Sequence, residues 1–179
     1  MSDLVLGATA LPPGYGTVNP FVAVTGPGGA PAFVDFLTAV FAGRETRSAR
    51  TPDADGLLIH AEVRVGTSTI MLCDSKPGWA FTPALLQVYV PGLDEPVLRA
   101  VERGAEVVTE PTPFHGDQRL ARLRDPWHNL WWLFEYGEQS TAPAEHPDEV
   151  PQWRPDPSAP AGYVKRTVDG ALRALTPPG

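Results

Sequence analysis

The sequence predicts an α+β fold made from one unit used twice: a short apolar strand, a helix that stops at glycine, then further strands. The first copy starts at Phe21-Val22-Ala23-Val24, runs through a helix around Phe33 to Phe41, stops at Gly43, and continues into Leu57 to Val63 and Ile70 to Leu72. The second starts at Leu85 to Val90, runs through a helix around Pro96 to Arg103, and stops at Gly104. It continues through Glu106-Val107-Val108 to Trp131-Trp132-Leu133-Phe134. Two copies with one free sheet face each can close a cup between them, so the repeat itself predicts a ligand site.

Each element follows from its periodicity. Phe33, Phe36, Leu37, Val40 and Phe41 recur at helical spacing and make one apolar stripe, with Gly43 expected as the left-handed residue that ends the helix. Residues 59–65 alternate cleanly, with Ile59, Ala61, Val63 and Val65 on one face and His60, Glu62 and Arg64 on the other. Gly66 and the small polar residues after it make a turn into the Ile70 strand, giving a hairpin. The second helix is expected to open with Asp94 as its cap and Pro96 in its first turn, and to bury Val97, Val101 and Leu98.

Residues 1–137 therefore make the folded domain, with modules at about 17–76 and 83–137. Residues 138–160, rich in Pro, Glu, Ser and Ala, are expected to form a semi-rigid linker. Residues 161–179 are expected to hold a short amphipathic helix, because Val164, Val168, Leu172 and Leu175 share a stripe. That stripe needs a covering surface, either the body of the subunit or a second copy, which with the family resemblance below makes a homodimer the expected assembly.

Charge and composition exclude several partners. A net charge of −7 and a pI near 5.0 argue against nucleic acid, which needs a basic surface. No run is apolar and long enough to span a bilayer. Asp3 stands where a signal peptide would carry positive charge, and the single Cys73 cannot form an intrachain disulfide, so a cytoplasmic setting is expected.

Alternation also names the wall of the expected cup. His60 and Glu62 face it from the first module, with Met71 and Cys73 beside them. Leu85, Gln87 and Tyr89 face it from the second, with Leu130, Trp132 and Phe134 from the last strand; Trp131 and Leu133 are expected to cover the helix. Flat aromatic faces, an adaptable Met and a few hydrogen-bonding tips suit a small, planar, partly aromatic ligand. His115 lies in a loop near a strand edge and joins the candidate ligand contacts, with a solvated role as its alternative. His60 and Glu62 are either a hydrogen-bonded pair lining the cup or a general base and its orienting partner; a carboxylate facing an apolar cup is expected to have its pKa raised, against the pull of a His60 cation. The same pair, with His115 and Asp117 at the same spacing, is the alternative metal site.

The order of these segments resembles the glyoxalase/bleomycin-resistance family, also called vicinal oxygen chelate proteins. The resemblance is carried by Pro20-Phe21-Val22-Ala23-Val24, His60-Ala61-Glu62-Val63-Arg64-Val65-Gly66 and Leu123-Arg124-Asp125-Pro126-Trp127-His128-Asn129-Leu130-Trp131, and covers about residues 15–137. It implies paired βαβββ modules, a curved mixed sheet with helices outside, frequent dimerisation, and activities from metal-dependent isomerases, lyases and dioxygenases to drug-binding proteins. In metal-dependent members the ligands come from the first and last strands of each module. Those positions fall here near Asn19, Met71, Leu85 and Trp132, a set that does not suit a divalent ion; a shift of register would bring in only Gln87 and Glu135. The expectation is thus no metal and no cofactor. The expected function is a protein that binds a planar aromatic natural product or drug, conferring self-resistance by sequestration. The alternatives are a lyase, isomerase or tailoring enzyme using His60 and Glu62, or a metal-dependent dioxygenase or glyoxalase-type enzyme.

Overall fold

A computed structural model describes residues 11–114, 118–135 and 162–179. The chain is α+β and divides into two compact units, Met1–Thr82 with Pro178–Gly179, and Pro83–Pro177. The segment read as a linker lies outside the described residues.

In the first unit, β1 (Phe21–Val24) leads to α1 (Gly29–Phe41), the two-residue β2 (Arg44–Glu45), a 3-10 turn, the short β3 (Thr51–Pro52), and the hairpin β4 (Leu58–Val65) and β5 (Ser68–Asp74). The sheet order is β1-β5-β4-β2, with β3 pairing β4. β1 lies parallel to β5, so Phe21 stands beside Met71 and Ala23 beside Cys73, while Glu62 stands across from Met71. Val22 and Val24, Ala61 and Val63, and Ile70 and Leu72 point to α1, which buries Phe33, Val34, Phe36, Leu37 and Val40 against them.

The ends of α1 are set from outside the helix. Its first turn carries no acidic residue and no side-chain cap. Asp74 at the end of β5 takes that role, its Oδ1 accepting from Ala30 N at 2.6 Å while Oδ2 accepts from Leu58 N at 2.7 Å. Gly29 is required by this approach, since a Cβ there would stand 2.3 Å from Asp74 Oδ1. At the other end the left-handed residue is Ala42, with φ 52°, and not Gly43. Gly43 is needed for space: a Cβ on it would meet Val63 Cγ1 at 2.7 Å. Ile59 also departs from expectation. It is 45% exposed, because the part of β4 covered by α1 begins only at Ala61.

The second unit repeats the order. β6 (Leu85–Val90) leads to α2 (Asp94–Glu102), β7 (Glu106–Pro113), β8 (Arg119–Arg124) and β9 (Leu130–Glu135), in sheet order β6-β9-β8-β7 with β6 parallel to β9. First strand beside last strand in both units is the topological mark of the repeat. β7 runs five residues beyond the expected Val108, and Pro111 and Pro113 are tolerated because it is an edge strand with two register shifts. Asp94 is the first helical residue and not the cap; Leu93, fully buried, holds that position. α2 also presents a different face from the one expected. Ala100 is its buried residue, whereas Leu98 and Val101 are 58% and 45% exposed, because Leu93 and Ala100, seven apart, set the line that faces inward.

The loop between β8 and β9 is a polar knot around Asp125. Its Oδ1 accepts from Trp127 N and Asn129 N, and its Oδ2 from Asn129 Nδ2 and Trp131 Nε1, all between 2.8 and 3.0 Å. Asn129 Oδ1 in turn accepts from Ala84 N, fixing the start of β6. Burial pushes the Asp125 carboxyl up while those four donors pull it back. His128 takes φ 62° inside this turn, and its Nδ1 lies 2.5 Å from Thr176 O.

The C-terminal helix α3 (Tyr163–Arg173) packs on β7. Tyr163 Oη accepts from Glu110 N at 3.0 Å, and Thr167 Oγ1 lies 2.7 Å from Thr109 Oγ1. Leu172 is 42% exposed and Leu175 falls beyond the helix end, so the expected stripe is only partly covered.

Candidate functional site

Each unit leaves one sheet face turned away from its outer helix, and the candidate residues divide between these two faces. On the first unit's face, strand alternation brings Phe21, His60, Glu62 and Met71 to the same side. Glu62 is 7% exposed and fully engaged: His60 Nε2 lies 2.9 Å from its Oε1, and Tyr15 Oη donates to its Oε2 at 2.6 Å. Tyr15 arrives on a segment before β1 that is pinned where Thr69 Oγ1 donates to Gly14 O at 2.6 Å. Sequence reasoning missed Tyr15. It lies 47 residues from its partner in a Pro-Gly-rich stretch without periodicity, so nothing local signals the contact.

These partners reverse the expected titration of Glu62. The Tyr15 hydroxyl and then His60 hold its carboxyl below its ordinary value of 4.5, against the opposing push of burial. A carboxylate kept ionised in this way orients a base rather than serving as one. The bond to Glu62 fixes His60 with its Nε2–H toward the carboxylate, leaving Nδ1 as the acceptor. Phe21 lies beside the imidazole with ring centroids 6.3 Å apart.

On the second unit's face, Leu85, Gln87 and Tyr89 of β6 are exposed, and the parallel register sets Gln87 beside Trp132 and Tyr89 beside Phe134. Gln87 Nε2 donates to Tyr89 Oη at 2.8 Å, so these two groups satisfy one another. Tyr89 and Phe114 both contact Phe134, with centroids 5.7 and 5.5 Å away. Trp132 is half-buried, while Leu130 and Phe134 on the same side, and Trp131 and Leu133 behind them, are buried. Arg122 lies across from Trp132, its Cζ 5.5 Å from the ring centroid. Arg122 was not foreseen, because β8 itself was not. In Arg-Leu-Ala-Arg-Leu-Arg the leucines and first two arginines recur every third residue, which masks the two-residue period of a strand. His115 and Asp117 lie outside the described residues.

The first and last strands meet at Phe21 and Met71 in one unit, and at Leu85 with Leu130 and Gln87 with Trp132 in the other. Asn19 is spent on a turn, its side chain bonding both Gly16 N and Gly16 O. Among the described residues no group of three or more His, Cys, Asp or Glu is placed to hold an ion. Cys73 is buried, and desolvation first, then Asp74, push its thiol up, which disfavours the thiolate. No helix among the described residues is long and apolar enough to cross a membrane.

Comparison with solved structures shows the fold. TioX from Micromonospora matches 67% of this chain and 99% of its own at 23% identity and a TM-score of 0.52. The fosfomycin resistance protein FosX from Listeria monocytogenes matches 71% and 98% at 15% identity and 0.55. A glyoxalase/bleomycin resistance protein/dioxygenase family enzyme from Burkholderia phytofirmans matches 66% and 94% at 21% identity and 0.51. No protein-family profile matches the chain. Among curated proteins, Rv0887c of Mycobacterium tuberculosis is 31% identical over 111 residues, which cover 56% of this chain and 64% of that protein. The uncharacterized protein Mb0911c of Mycobacterium bovis is also 31% identical over 111 residues, covering 56% of this chain and 72% of its own. Identity at that level, sustained over most of the mycobacterial protein, places the present chain in the same family as Mb0911c.

Proposed function

We propose that this protein binds a planar aromatic small molecule, a natural product or drug, and protects by holding that molecule rather than transforming it, with no metal required. The observation that carries this reading is the second unit's face, where the exposed Tyr89 and the half-buried Trp132 stand on either side of the buried Phe134, edged by Gln87. Such a face offers stacking area with few polar demands, which is what retention of a flat ligand needs. The side chains at the strand positions where the fold would place metal ligands support the metal-free part of the proposal. The fold likeness to a fosfomycin resistance protein is compatible with a protective role. Adding a polycyclic aromatic compound to the purified protein is expected to quench tryptophan fluorescence, and Trp132→Ala is expected to remove most of the quenching. Metal analysis finding one tightly held zinc, nickel or iron per subunit would overturn the metal-free reading. The protein is proposed to be a homodimer, which its mass in solution tests.

The Tyr15–Glu62–His60 chain favours a second reading, acid–base catalysis on a small metabolite. His60 would then take the proton at Nδ1, with Glu62 holding the ring and Tyr15 holding Glu62. Glu62→Gln separates the two readings. Ligand affinity kept with no turnover lost supports binding, while turnover abolished with binding intact supports catalysis.

A further inference from the structure

We infer that Arg122 is the seat for the anionic group of an aromatic carboxylate, and that α3 is a displaceable wall over that seat. The inference rests on the binding reading above and gives the ligand a charge.

Arg122 is flanked on its own strand by arginines that have counter-ions. Arg119 meets Glu135 at 3.0 Å and Arg124 meets Glu106 at 2.6 Å. Arg122, only 7% exposed, has no carboxylate partner among the described residues. Its Nη1 donates to Val164 O at 2.9 Å and, at a longer 3.3 Å, to Thr109 Oγ1, and its buried Nε has no acceptor among the described residues. Neutral oxygens compensate a desolvated cation poorly, and burial accordingly pulls the guanidinium down to about 10. A buried cation with an orphaned donor and no carboxylate partner among the described residues is a seat that an anion from outside can fill.

The surroundings fit an arene that carries a carboxylate. Trp132 on β9 lies across from Arg122 on β8, and the exposed Tyr89 stands two residues beyond Trp132's neighbour Gln87 on β6, so a flat ring against Tyr89 and Trp132 brings its acidic substituent toward the guanidinium. A carboxylate presents two oxygens in the fork that a guanidinium matches, and would pair Nε together with Nη2 on the same edge, while Nη1 stays on Val164 O.

α3 is built to yield. It has eleven residues, none of them buried, and a helix of that length is marginal without tertiary support. Its described polar ties to the sheet are Tyr163 to Glu110, Thr167 to Thr109, and Val164 O to Arg122 itself. An anion reaches the buried Nε by loosening these ties.

The test uses the full-length protein and a matched pair of probes, 2-naphthoate and its neutral amide, measured by calorimetry at neutral pH. The wild type is expected to hold the naphthoate about tenfold more tightly than the amide. Arg122→Met is expected to erase that preference, so that naphthoate binds no more tightly than the amide. Arg122→Gln serves if the Met variant fails to fold. Tyr163→Phe combined with Thr167→Val, which loosens α3, is expected to tighten naphthoate binding roughly threefold by raising the open fraction. Equal affinities in the wild type, or a preference that survives in the Arg122 variants, would overturn this inference and leave the binding reading standing. Unchanged or weakened naphthoate binding in the loosened variant would overturn the role of α3. Binding of neither probe, and of no larger planar aromatic, would overturn both readings.

Discussion

The two units share a topology and differ in what they ask of it. In the first, α1 buries six side chains against the sheet, and the opposite face carries an ionised carboxylate held by a phenol and an imidazole. In the second, α2 buries Ala100, and the opposite face carries aromatic rings beside a cation with no carboxylate partner among the described residues. A folding unit can therefore be copied while its stability is moved elsewhere. The first unit draws much of its core from α1, whereas the second draws its core from strand residues such as Leu120, Leu123, Trp131 and Leu133 and adds the buried polar knot at Asp125.

Mutations test that contrast. Asp125→Ala strands four donors and frees the start of β6, and is expected to cost about 4 kcal/mol in urea denaturation. A loss below about 1 kcal/mol would mean that the knot is not the second unit's anchor. Leu37→Ala, in the packed stripe of α1, is expected to cost about 3 kcal/mol, while Val101→Ala on the exposed flank of α2 stays within about 0.5 kcal/mol. Similar costs at the two positions would erase the distinction between the helices.

The polar face gives a smaller and pH-dependent effect. Glu62→Gln is expected to cost about 1.5 kcal/mol at neutral pH through weakened bonds to Tyr15 and His60. Glu62 titrates below its ordinary 4.5 in the folded chain, so its contribution is complete above that value. It is lost as pH falls through the folded value. The stability gap between wild type and the Gln variant should therefore close in acid, and a gap that widened there would refute the assigned network. Tyr15→Phe is expected to cost less than Glu62→Gln, about 1 kcal/mol, with the Glu62 carboxyl moving upward in an NMR titration.

The repeat, the α1 stripe and the β4–β5 hairpin were legible because each is a local period. So was the sharing of one face by Leu85, Gln87 and Tyr89, since strand parity survives any uncertainty in pairing. What escaped was non-local or masked. Tyr15 reaches Glu62 from far along the chain, and β8 hides under its threefold arginine spacing. The expected rise in the Glu62 pKa failed for the same reason. Burial was inferred correctly, but the donors that outweigh it come partly from a segment with no pattern to read.

The turn after α1 has a consequence for how this region tolerates change. Ala42 holds a left-handed backbone that disfavours a side chain by roughly 1 kcal/mol, and Gly43 holds an ordinary backbone in a place with no room for one. The dipeptide therefore reads in a single direction. Glycine is welcome at the first place, nothing else is welcome at the second, and transposing the two residues would wedge the helix away from Val63.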